Sequence, residues 1–362
     1  MSDQNDTFNR REFLKWVSIL GLSGFLSACR INGYQQVTAE ASKLHSTATE
    51  IEKTSTPSSS SNQGSTGSLS NDPTSTDIPP QVTSSPPPTE VKPENAYLAV
   101  AHGESIEDLV FTAIAALGGI ERFIKNGSDV IIKPNICTNY YSYEYAATTN
   151  PSVIAALVRL CQGAGAGRVR VMDQPFAGSP DSAYTRSGIA EAVAAAGGEM
   201  EIMNWNKYAN ADIPDGIDIK QWSFYKPILD ADVVIDVPIA KHHGLTGLTL
   251  AGKNLLGTIN KPSGIHKNHA QRIADLVSRV KPTLTVIDAV RILMRNGPTG
   301  GNLDDVKLMN TVIASHDLIA ADAYAATLFG LTGADIGYIA AGAKMGLGIM
   351  DLKAIKIEEM NY

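Results

Sequence analysis

The chain has 362 residues, 43% hydrophobic and 19% charged, with a formal net charge of −7. This is the composition of an ordinary globular protein, and the acidic balance argues against a nucleic-acid partner, whose phosphates select basic surfaces. Only three cysteines occur and none forms a CxxC pair, which excludes an iron–sulfur cluster held by four thiolates.

Residues 1–28 read as an address. The run Asn9-Arg10-Arg11-Glu12-Phe13-Leu14-Lys15 resembles a twin-arginine export signal, and Leu26-Ser27-Ala28-Cys29 resembles a bacterial lipoprotein cleavage box. The apolar run between them, Trp16 to Phe25, is shorter than the roughly 20 residues that span a bilayer. The resemblance implies passage through the twin-arginine export machinery, cleavage before Cys29 and lipidation of its thiol. The protein is then expected outside the cytoplasm, lipid-anchored at the outer face of the cytoplasmic membrane or elsewhere in the envelope. Residues 29–95 predict a linker. From Thr54 to Pro88 it is mostly Ser, Thr, Pro, Asn and Gly, too poor in apolar surface to offset the entropy of ordering.

Residues 96–362 carry the folded part, one large α/β domain or two lobes. Strands are predicted at Tyr97–Ala101, Val130–Lys133, Arg168–Met172, Glu201–Trp205, Val233–Val237, Leu284–Ile287 and Val312–Ala314. Helices are predicted at Ile106–Ile124, from Asn150 as cap and Pro151 to Gln162, and at Ser182–Ala196, His269–Val280, Leu318–Phe329 and Ile336–Met345. The alternation predicts a mainly parallel sheet with helices on both faces. Two glycine-rich segments imitate nucleotide loops. Gly163-Ala164-Gly165-Ala166-Gly167 ends a helix and enters a strand, the reverse of the dinucleotide fingerprint, so it reads as a helix stop. Gly247 to Lys253 has P-loop spacing, but Asn254 stands where Ser or Thr would hold magnesium.

The stretch from Lys241 to His269 is the chemical centre of the sequence. It holds four of the seven histidines and four lysines, and it follows a buried strand ending at Pro238. In an open α/β sheet ligands lie outside the carboxyl ends of the strands. Lys241, His243 and Asp288 are the candidate catalytic groups, histidine because it titrates near neutrality. Lys133 and Asn135, at another strand's end, can clamp a carboxylate or phosphate, and Lys253, Asn254 and Thr249 complete the candidate binding set. Tyr140, Tyr141, Tyr143 and Tyr145 can wall the pocket. His266 and His269, three apart, are candidate ligands for a divalent metal such as zinc, although a structural zinc site wants four ligands.

Lys133-Pro134-Asn135, Thr148 to Pro151, Ala231 to Pro238, Lys241, His243, Thr249, Lys253 to Gly257, His266, His269 to Asp275, Ile287 to Ala289, Gly297 to Gly300 and Ala321 to Ala323 resemble one pattern, that of domain-of-unknown-function family 362. A more distant likeness is to the lactate racemase family, which carries a nickel-pincer nucleotide. His243, Lys253 and His269, spaced by ten and sixteen residues, stand at that family's spacing of base, covalent lysine and nickel ligand. The resemblance implies Lys253 as the attachment point of the cofactor, His269 as a nickel ligand and His243 as the base. It also implies hydride transfer, epimerisation or racemisation of a small anionic hydroxy acid or related alcohol; no side chain accepts a hydride, so a cofactor must. That family's second histidine base has no counterpart, since no histidine lies between Gly103 and Lys241. His242, His266 or a tyrosine would have to replace it, or the reaction would be one-sided. The competing expectation is a non-catalytic lipoprotein whose basic pocket captures an anion or metal for a partner.

Overall fold

The computed structural model describes residues 95–362. The expected export signal, Cys29 and the linker before residue 95 lie outside the described residues. The chain opens with β1 (Leu98–His102) and α1 (Ile106–Ala116). The helix ends before the expected Ile124 because Gly118 and Gly119 take φ of 99° and 86°, which no α-helix can continue. Next come β2 (Asp129–Pro134) and α2 (Pro151–Gly163), whose cap Asn150 accepts from the Ser152 N–H. After β3 (Arg168–Val171) the single helix expected over Ser182–Ala196 is two, α3 (Pro180–Ser187) and α4 (Ile189–Ala195), broken at Gly188 with φ 78°. The strand expected at Glu201–Trp205 is the short β4 (Glu199–Met200), because Asn204 instead caps a 3-10 turn beginning at Trp205.

Two unexpected strands, β5 (Tyr208–Asp212) and β6 (Gln221–Tyr225), form a separate antiparallel ribbon. They are followed by α5 (Lys226–Asp230), β7 (Val233–Val237), β8 (Ile239–His243), β9 (Gly247–Thr249), α6 (Ala251–Asn254) and α7 (His269–Val280). The chain closes with β10 (Leu284–Leu293), β11 (Val306–Ser315), α8 (Leu318–Thr327), α9 (Gly337–Lys344) and β12 (Ile357–Asn361). The first part of the stretch from Lys241 to His269 is a hairpin. β8 continues alongside β10, pairing Ile239 with Asp288 and Lys241 with Leu293, and β9 folds back on it to set Thr249 opposite Lys241.

The main sheet runs β12-β1-β11-β10-β7-β2-β3-β4. From β10 to β4 every neighbour is parallel, and β11 lies antiparallel between β1 and β10. The fold is thus α/β with a mostly parallel sheet, as the alternation of elements predicts. Strand residues alternate between two apolar layers. Leu98, Val100, Ile131 and Ile287 pack on the side of α7, α8 and α9, whereas Ala99, Val130, Ile132 and Val286 pack on the side of α1, α2 and α4. Both faces are therefore covered, and each fully buried Ile or Leu stabilises the fold by about 1.5–3 kcal/mol.

Asp275 on α7 fixes the ribbon from below. Fully buried, it accepts the N–H groups of Ile217, Asp218 and Ile219 at 2.8, 2.8 and 2.9 Å. Replacing Ile131 by Ala is expected to cost about 2–5 kcal/mol in urea unfolding, the range for a core truncation that leaves a cavity. Asp275→Ala is expected to cost about 1–3 kcal/mol or more, because buried N–H groups lose their acceptor.

Candidate functional site

The chain leaves β2 toward β3 and β4 on one side, whereas β7 leads to β10 on the other. The crevice between the ends of β2 and β7 is therefore a topological switch point, where open α/β sheets take their ligands. A cavity of about 690 Å³ opens there, reached by Asn135 from the end of β2, Asp173 after β3, Lys241 and His243 from β8, Thr249 from β9 and Lys253 from α6.

Beneath it runs a continuous buried polar network. Lys133, 1% exposed, donates from Nζ to Asp173 Oδ1 at 2.7 Å, to Pro134 O at 2.8 Å and to Asn254 Oδ1 at 3.0 Å. Asn254 Oδ1 also accepts from Asn135 Nδ2 at 2.8 Å, and its Nδ2 donates to Asp236 Oδ1 at 2.8 Å. Asn135 Oδ1 in turn accepts from Lys241 Nζ at 2.8 Å. Lys241, also 1% exposed, completes its donors on the carbonyls of Ala147 and Pro298 at 2.6 and 3.1 Å. Lys133 thus has a carboxylate partner, whereas Lys241 donates to neutral oxygens, with the Cys137 thiol beside it. Burial lowers the Lys241 pKa, and it holds the Asp236 carboxyl well above the ordinary carboxylate range. Asp236 Oδ2 has no partner.

Lys253 and His243 face the same cavity. Burial pulls Lys253 down to about 8, with repulsion from Lys241 and Lys133 adding to the fall. Burial also pulls His243 to about 3, reinforced by Lys253, Lys241, His266 and His242, so its ring is neutral across the physiological range. His266 lines the cavity as well, lowered by burial and then by Lys253 and His269. Asp173 is the single carboxylate among the lining residues, against Lys241, Lys253 and Lys261. A chain of net charge −7 has therefore built a cationic chamber. Two polar atoms there, Thr249 Oγ1 and Tyr208 Oη, are buried without any protein partner. Buried polar groups are nearly always satisfied, so orphans in a cavity point to a ligand.

Other expected residues lie elsewhere. His269 opens α7 and is not among the lining residues, and no cluster of three metal-binding side chains occurs among the described residues. Asp288 is fully buried, with Oδ2 accepting the Asn150 N–H at 2.7 Å and Oδ1 that of Val290 at 3.0 Å. It braces the start of α2, and burial raises its pKa to about 6. Asp322 accepts the Ala251 and Gly252 N–H groups at 2.7 and 2.9 Å. Its carboxylate thereby occupies the amides of the P-loop-like segment that a phosphate would otherwise approach, and it anchors the element carrying Lys253. The four tyrosines from Tyr140 to Tyr145 do not line the cavity. The aromatic wall comes instead from Phe176, Trp205 and Tyr208, with Phe176 61% and Trp205 84% exposed at the rim.

Gly257 makes the network possible by its lack of a side chain. A Cβ there would stand 2.0 Å from Asp173 Oδ1 and 2.9 Å from Lys133 Nζ. Gly257→Ala is expected to destabilise by about 1–3 kcal/mol through overpacking, as read by thermal unfolding. Asp173→Leu, which strands the Lys133 charge, is expected to cost about 3–5 kcal/mol, with the double variant Lys133→Met/Asp173→Leu recovering part of the loss.

The thylakoid-associated protein sll1697 of Synechocystis sp. is 29% identical over 65% of this chain and 74% of its own. Among solved structures, the lactate racemase apoprotein of Thermoanaerobacterium thermosaccharolyticum is similar with 12% identity and a TM-score of 0.40, over 61% of this chain. A Thermotoga maritima protein solved as a structural-genomics target has 11% identity and a TM-score of 0.34, over 62% of this chain. This chain spans 54% and 58% of the lengths of those two structures. The sequence profile of one family matches residues 130–327, from β2 through α8 and across the whole cationic chamber. The chain belongs to that family, described as domain of unknown function DUF362.

Proposed function

We propose that the chamber binds a multiply charged organic anion through Lys253, and that the protein acts there on a small hydroxy acid or related alcohol by hydride transfer or epimerisation. The observation that carries this reading is the Lys253 amine. It faces a cavity lined by two further lysines and two imidazoles, makes no hydrogen bond with the described residues, and has its pKa drawn to about 8. An amine held next to other cations in a desolvated site is the usual form of a lysine that bonds to an acyl or carbonyl carbon.

A cofactor is required for hydride transfer, and the donor set can be tested against the two expected forms. A divalent metal held by protein side chains alone does not fit, because His269 is not among the lining residues and no third ligand joins His266. A nucleotide attached through its own acyl group fits better. Lys253 supplies the attachment, Lys241 and Lys261 the neutralising charge, Thr249 and Tyr208 the unpartnered polar atoms, and His266 one imidazole for a metal that arrives with its other donors. When bound, such a group accepts the hydride. The chain's own part is to hold the anion, orient it against His243 and shield it with the aromatic rim. The N-terminal signals support an exported protein tethered through Cys29, and the thylakoid association in the name of the relative sll1697 is in keeping with a membrane-bound location. Among the described residues no helix is long and apolar enough to cross a membrane.

Protein purified from its own host is expected to carry a nucleotide-sized mass on the peptide containing Lys253, with nickel in elemental analysis, and Lys253→Arg to carry neither. A bare Lys253 in that preparation overturns the attached-cofactor reading and leaves an anion-binding protein without turnover. In the unloaded protein, acylation of Lys253 is expected to rise with pH around a midpoint of about 8, well below the roughly 10.4 of an ordinary lysine. A folded pKa below the unfolded one means the unfolded chain holds the extra proton between those values. Stability should therefore rise with pH across that window, and Lys253→Met should flatten the rise in urea titrations.

A further inference from the structure

His243 is fixed by the turn it begins. β8 and β9 end their pairing at His243 and Gly247, and the connecting residues fold back so that the N–H groups of Leu245 and Thr246 both point at His243 Nδ1, at 3.2 and 3.3 Å. A ring nitrogen that accepts from two amides carries a lone pair. A neutral imidazole has one proton, which must then sit on Nε2. That atom makes no hydrogen bond with the described residues, and the side chain lines the cavity. To offer a lone pair at Nε2, the ring would have to move its proton to Nδ1, against two amide protons that would both lose their acceptor. The remaining way to change its state, adding a second proton, is opposed by the groups that face it: Lys253 on α6, Lys241 and His242 on β8, and His266 before α7.

We propose that His243 is a fixed hydrogen-bond donor whose Nε2–H grips an oxygen of the bound anion, a carboxylate or a hydroxyl turning alkoxide, and that it is not the base of the site. This rests on the anion-chamber reading and assigns a polarity within it. His266 differs in kind. It lines the same cavity but has no hydrogen bond to a described residue, so either nitrogen is open to a ligand or a proton. His242 has its Nδ1 taken by the Gly297 N–H at 3.1 Å and does not line the cavity.

The test uses the full-length protein. Ring nitrogens are labelled with ¹⁵N, and His243 is assigned by comparison with His243→Gln. The expected signal is the Nε2–H tautomer, unchanged between about pH 5 and 9. Binding of inorganic phosphate and of oxalate is then measured by calorimetry. Gln can present an amide N–H in place of Nε2–H, so His243→Gln should bind within a fewfold of the wild type, whereas His243→Phe should lose about tenfold or more. An Nδ1–H signal overturns the inference whatever the variants do, as does wild-type affinity in a folded His243→Phe. Failure of the wild type to bind either anion overturns the chamber reading itself, a result recognisable because it does not depend on the tautomer.

Discussion

The ion pair between Lys133 and Asp173 is the contact on which the site depends. Both side chains are almost wholly withdrawn from water, at 1% and 4% exposure, where charges are tolerated only when paired and hydrogen-bonded. The pair joins the ends of two neighbouring parallel strands, and through Asn254 it reaches a third element that is distant in sequence. With it, Asn135 is aimed at Lys241, and Lys241 becomes a cation whose charge is matched by no carboxylate.

That asymmetry gives the chamber its electrostatic character. One ammonium is neutralised internally and becomes a strut. A second is braced by neutral oxygens and keeps its field, and a third is left without a described partner and loses part of its affinity for a proton. Interactions between charges strengthen as water is excluded, so the same three lysines on an exposed surface would be nearly independent. Here Lys133 and Lys241 lower the proton affinity of Lys253, Lys133 lowers that of Lys241, and Lys253 in turn lowers those of His243 and His266, each beyond what burial does. The result is a set of nitrogens with weakened proton affinity next to a positive floor.

Much of the architecture follows from local rules that act within one element. Asn150-Pro151 starts α2 because cap and first turn are specified by adjacent residues, and Val233–Val237 is a buried strand because its four β-branched residues form a short run suited to a sheet covered on both faces. The ribbon β5–β6 and the edge strand β12 escape those rules. Their faces are mixed in polarity, and their stability comes from partners elsewhere, such as Asp275 beneath the ribbon. Among site residues, Lys241, His243, Lys253, Asn254, Thr249 and His266 are recognisable by their density in one stretch. Asp173 lies in a separate segment, and only its place just after a strand hints at it. Phe176, Trp205 and Tyr208 reach the cavity through tertiary folding alone. The tyrosine-rich segment after β2 looked like a wall because it is near in sequence, but Tyr141 and Tyr145 pack on each other, their ring centroids 4.7 Å apart.

The cavity is assembled from two kinds of material. Its floor is drawn from the ends of β2, β3 and β8 and from α6, all locked into one buried hydrogen-bonded web around Asn254. Its rim is drawn from Phe176, Trp205 and Tyr208, between β3 and β7, and from Asn260 to His266 after α6, residues that take no part in that web. Exchanging those rim side chains leaves the charged floor in place while changing which apolar shape can pass above it. A scaffold partitioned in this way can vary the shape of its entrance without rebuilding the buried apparatus beneath it.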